Sequence, residues 1–182
     1  MRAALLSLLL ALPSIAVADR PASLAELWEE NSDHVRNEDG NVHIMLPGSV
    51  RLWRRPDGQG GWEYRTRDES GLGAVGCLAV MVVETKAAAQ QCPKFFTASR
   101  VASLDRMLDL VVEFYVENAI PPMDGNEVEG AFARWISGEA TRCSEDAEML
   151  SQFADQFLLW DGGAALEENL SVPRYPSSNP CF

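Results

Sequence analysis

The chain is poor in histidine: His34 and His43 are the only two in 182 residues. Imidazole-based acid–base or metal chemistry therefore has two candidates and no cluster. No G-x-S-x-G elbow is present to hold a nucleophilic serine. The four cysteines form no C-x-x-C pair, which argues against a zinc knuckle or a thioredoxin-type motif. No window past the N-terminal apolar stretch has eighteen uncharged apolar residues, so no later membrane-spanning helix is expected. Basic groups are outnumbered, 15 against 27 acids. The net charge of −12 argues against nucleic acid and anionic membranes as partners, and permits a basic one. Internal repeats and low-complexity tracts are also missing. What remains, 47% apolar and 23% charged, is a globular composition.

The first eighteen residues read as a signal peptide. Arg2 supplies the positive start, Ala3 to Leu12 an apolar stretch, and Pro13 its break. Ala16 and Ala18 are the small residues a signal peptidase reads. An apolar stretch of this length is half of the roughly 20 residues a bilayer span needs. No cysteine follows it to carry a lipid. Cleavage after Ala18 predicts a periplasmic or secreted protein, with residues 19–182 forming a single domain around one core. In that compartment an even number of cysteines reads as two disulfides. Cys77, Cys92, Cys143 and Cys181 allow three pairings, and proximity favours Cys77–Cys92 with Cys143–Cys181.

Strand signals come first. Val42 to Leu46 is short and mostly apolar, after a polar turn at Asn37 to Asn41. Val50 to Arg54 and Trp62 to Arg67 flank a turn sequence running from Pro56 to Gly61, which predicts a β-hairpin. Leu78 to Val83 is a continuous apolar run that suits a central strand or a buried helix. A helix through Gln91 would carry Cys77 and Cys92 too far apart to bond. Helix signals dominate elsewhere. Ser23 and Glu26 predict a capped helix over 24–32, and Leu104, Leu108, Val111 and Tyr115 predict a long one over 101–117. A third helix follows a cap near Asn126, with Val128, Phe132 and Ile136 on one face. A fourth runs from a cap at Ser144 to Leu158, facing Met149, Phe153 and Phe157 inward, before Gly162 and Gly163. The proline-containing tail, 171–182, is expected to be extended and pinned by Cys181. The sum is an α+β domain, a small antiparallel sheet of a hairpin plus one or two further strands packed on three to four helices.

Two surfaces emerge as binding candidates. Arg51, Arg55, Arg65 and Arg67 lie on the hairpin with Arg54, Trp53, Trp62 and Tyr64. Guanidinium forks and aromatic rings together suit an anionic ligand or an acidic protein segment, although the same residues also make an ordinary solvated strand face. Asp105, Asp109, Glu113 and Glu117 recur every four residues on the long helix. Such like charges repel by roughly 0.2–0.5 kcal/mol per pair, so either the hairpin arginines or a basic partner would compensate them. His43 and Met45, on one face of a strand, form a soft pair suited to Cu(I), but two ligands do not make a site. The leading expectation is a non-catalytic binding or accessory protein without a cofactor, meeting a basic protein through its acidic helical face. The alternatives are a secreted hydrolase built on carboxylates and a periplasmic copper carrier.

Overall fold

Ser23 begins the first helix, α1 (Leu24–Glu30), by accepting the Glu26 amide on its side chain at 3.1 Å. Glu26 reaches back to the Ala22 amide, one residue beyond a standard capping box. These and all later coordinates come from a computed structural model, which describes residues 21–38, 41–139, 143, 145–159, 161 and 163–181. The signal segment, Ser144, Trp160, Gly162 and the side chain of Phe157 lie outside the described residues.

Four antiparallel strands follow α1: β1 (Arg36–Glu38), β2 (Asn41–Leu46), β3 (Val50–Pro56) and β4 (Trp62–Asp68), side by side in chain order. Asn37 and Glu38, expected in a turn, belong to β1, because they pair with Val42 and Asn41. The alternation of β3 sends Val50 and Leu52 to one face and Arg51, Trp53 and Arg55 to the other. Val50, Leu52, Ile44 and Leu46 bury that first face against Trp28 of α1.

The ambiguous run at 78–83 is helical. It lies in α2 (Val75–Gln91), whose length and Ala87–Ala89 stretch suit a helix better than a strand. α2 is buried on most sides, which erases the one-faced pattern that would identify it. Around it pack α3 (Ala98–Asn118), α4 (Gly125–Gly138), α5 (Glu145–Phe153) and α6 (Ala164–Leu170). Thr97 caps α3, and the cap of α4 is Asp124, not Asn126. Asp124 and Glu127 exchange hydrogen bonds at 2.9 Å in a full capping box. The helix expected to reach Leu158 stops at Phe153 and widens into a π-turn, Ala154–Leu158. α6 had no clear sequence signal. The α+β class holds, with a four-stranded sheet and six α-helices among the described residues.

The expected disulfide pairing is wrong. Cys77 bonds Cys181, and Cys92 bonds Cys143. The reason is α2 itself: fifteen helical steps of about 1.5 Å place Cys77 and Cys92 roughly 22 Å apart, when a disulfide allows about 7 Å. Cys181 does pin the tail, but to the start of α2.

The tail then does more than hang from its disulfide. Arg174, on the irregular segment after α6, is 2% exposed. Its Nε donates to Asp68 at the end of β4 at 2.7 Å, and its Nη atoms donate to Asn169, Val172 and Gly73. Asn169 in turn donates to the Leu72 and Gly73 carbonyls. The Ser177 carbonyl accepts the Gly76 amide at 2.8 Å, serving one of the unpaired N–H groups at the start of α2. Ala74, at the N-cap of α2, has no side chain that could do so. Gly48 is required where the tail crosses: at φ +70, a Cβ there would lie 2.4 Å from the Arg174 Cβ.

Candidate functional site

The hairpin residues divide between the two faces of the sheet. Pairing puts Arg36, His43, Trp53 and Arg65 in one cross-strand row, with Met45, Arg51 and Arg67 in the next, all on the face away from α1. Arg55 and Glu63 share that outer face. Trp62 does not. It pairs with Pro56 on the inner side, where Arg54 stacks on it at 4.4 Å and on Trp28 at 4.7 Å. Trp53 and Trp62 therefore cannot act together, and a cross-strand pair between them is excluded.

Most charges on the outer face have local partners. Arg51 pairs with Glu38 at 3.1 Å and with Glu69 at 3.0 Å. Arg55 and Arg65 both hold Glu63, at 2.6 and 2.8 Å. Hydrogen bonds from Arg55 and then Arg65 keep the Glu63 carboxyl below its usual pKa. Arg67 makes no side-chain hydrogen bond or ion pair among the described residues. Two clefts flank Trp53. One, of about 260 Å³, is also lined by Arg51, Arg67, His43 and Glu69. The other, of about 340 Å³, is lined by Arg65 and by Tyr175, Ser178 and Asn179 of the tail.

The acid ladder meets none of those arginines. Asp105 binds Lys86, a lysine of α2 that is 7% exposed. Asp105 and Asp109 line a cleft of about 340 Å³ between α3 and α4, with Glu129 opposite. Leu108, Val112, Phe132 and Ile136 form its apolar surface. Glu117 lines a different cleft, of about 230 Å³, beside Leu46 and Tyr175. Glu113 is exposed between the two. The helical repeat explains the split, because each four-residue step turns the face by about 40°.

His43 and Met45 share the outer face, but His43 is 4% exposed and Met45 40%, so the imidazole is covered and the thioether open. His34 bonds Asp33 at 2.7 Å. Among the described residues no three of His, Cys, Asp and Glu converge on a metal-sized point. Burial, and then the charge of Glu139, raise the pKa of Glu84, the trait a general acid would need. Glu84 lines none of the clefts described here. A further open cavity of about 420 Å³ lies among Leu78, Met81, Phe153, Leu158 and Leu166. Its one polar wall residue, Asn169, already spends its amide on the Leu72 and Gly73 carbonyls and on Arg174.

Sequence reading missed Lys86, Glu129 and the tail residues Tyr175, Ser178 and Asn179. Lys86 is a lone lysine in an apolar run, and only its burial beside Asp105 gives it meaning. Glu129 could have been found by projecting 125–138 on a helical wheel, where it neighbours Phe132 and Ala133. No family model, curated protein or solved structure matches the chain.

Proposed function

We propose that the protein is an exported, non-catalytic binding protein that holds a basic segment of a protein partner in the cleft between α3 and α4. The observation that carries this reading is the charge balance of that cleft. Its one lining cation among the described residues, Lys86, is already joined to Asp105. Asp109 and Glu129 make no ion pair among the described residues, and both are exposed. Below them lie Leu108, Val112, Phe132 and Ile136. A lysine or arginine side chain matches such a cleft, its methylene stem on the apolar surface and its charge at the acids. The field of a chain at −12 would speed the approach of a basic partner. Two disulfides support a location outside the reducing cytoplasm, as does the signal-like segment at the N-terminus. No helix among the described residues is long and apolar enough to cross a membrane.

The test is titration calorimetry with a synthetic peptide of lysines and leucines, at 50 and 300 mM salt. Binding should weaken steeply with salt, because exposed charges are screened within about 10 Å at 0.1 M. The double variant Asp109→Asn, Glu129→Gln should lose about tenfold in affinity, or ~1.4 kcal/mol. Equal affinity of variant and parent would overturn the assignment of this cleft.

A further inference from the structure

The outer face of the sheet reverses the charge of the molecule. Five guanidinium groups, of Arg36, Arg51, Arg55, Arg65 and Arg67, face three carboxylates, of Glu38, Glu63 and Glu69, on a chain of net charge −12. Of the five, Arg36 and Arg67 are exposed and make no side-chain hydrogen bond or ion pair among the described residues. In the middle stands Trp53, half-buried and forming the wall common to the two clefts. We propose that this face binds an acidic polysaccharide, a chain of uronate sugars, with consecutive units in the clefts on either side of Trp53.

Three features select a sugar acid from among anions. An aromatic wall offers an apolar surface to the C–H face of a pyranose ring. Arg67 on one side and Arg65 on the other carry forked donors that match a carboxylate. The exposed polar residues Ser178 and Asn179 of the tail line the second cleft, where ring hydroxyls need partners. An acidic peptide is less well served. Peptides gain affinity by pairing with a free strand edge, whereas on the face of a sheet the backbone groups are already spent. At its Asp68 end the edge of β4 is already used by the tail, since the Asp68 amide donates to the Asn179 carbonyl at 2.7 Å.

The experiment is calorimetric titration of the full chain with oligogalacturonate, with its methyl-esterified neutral form, and with polyglutamate. The free uronate should bind, and each of the other two should bind at least tenfold more weakly. Arg67→Gln should weaken uronate binding about fivefold or more, and Trp53→Ala should abolish it. Trp53 is half-buried, so Arg67, exposed and without an ion pair among the described residues, provides the variant whose fold is not in question. Polyglutamate binding as tightly as uronate would reassign the face to acidic protein. No binding of oligogalacturonate, or an Arg67→Gln variant that binds it normally, would refute the proposal outright.

Discussion

Removing Arg174 would strand a carboxylate. Both side chains of the Arg174–Asp68 pair are essentially inaccessible, at 0% and 1% exposure. Loss of one partner from a buried pair costs about 3–5 kcal/mol, because the other charge stays buried without compensation. Arg174→Met should therefore lower the melting temperature by on the order of 10 °C in a chain of this size, read by circular dichroism. Arg55→Gln, in an exposed pair, should leave it unchanged within error. Glu84 makes a prediction of opposite sign. Its pKa is raised in the fold from an ordinary 4.5, first by desolvation and then by Glu139. The native state thus holds its proton more tightly than the unfolded chain, and stability is lost as pH rises through that raised value. Glu84→Gln should be more stable than the parent at pH 7, and the gain should vanish below about pH 4 in a pH series of urea melts. Neither residue was legible in the sequence. The hairpin arginines attracted notice because they cluster, while Arg174 is solitary in a proline-containing tail and its partner lies 106 positions away. No local pattern encodes such a bond.

The longer elements with one wet face were readable, whereas the short α6 and the all-round buried α2 were not. The hairpin announced itself through its turn residues and its alternation, and β3 and β4 fall within two residues of expectation. The amphipathic α3 and α4 were equally plain. α2 lacks a polar side, so its hydrophobic run fitted a strand as well as a helix, and the disulfide pairing inherited that ambiguity. One grouping among the binding candidates is divided for a related reason. Trp62 was grouped with Trp53 by nearness in a hairpin, but register decides faces, and one residue of offset sends a side chain to the other side. α2 also yields a direct test. A Cβ at Gly76 would lie 2.8 Å from the Ser177 carbonyl oxygen and 2.5 Å from the Ser178 hydroxyl. Gly76→Ala should push the tail off the start of α2, despite the better helix propensity of alanine. The expected readouts are a lower melting temperature and new proteolytic cleavage between 175 and 181.

Across the whole molecule, peptide mapping without reduction should link Cys77 to Cys181 and Cys92 to Cys143, with no alkylatable thiol. The first bond spans 104 positions, worth about 4.7 kcal/mol on the chain-entropy account, and a typical domain has about 5–15 kcal/mol in all. Cys181→Ser should melt markedly earlier, and adding Cys77→Ser should cost little more, since both remove one bond. Losses that add in full would contradict the pairing. The tail's route between sheet and helices has a consequence for how the protein comes apart. The apolar cluster under the sheet shares no residue with the two clusters among the helices. Left to hydrophobic packing alone, these are the makings of two units that open separately. Arg174 bonds Asp68 of the sheet and Asn169 of α6, Ser177 bonds Thr66 of the sheet and Gly76 of α2, and Cys181 fastens the same segment to α2, so opening either half should disturb the tail. About ten residues with no regular secondary structure, the stretch that a count of helices and strands leaves out, thus tie the sheet to the helices by hydrogen bond and disulfide, and cutting them should make the two halves melt less cooperatively.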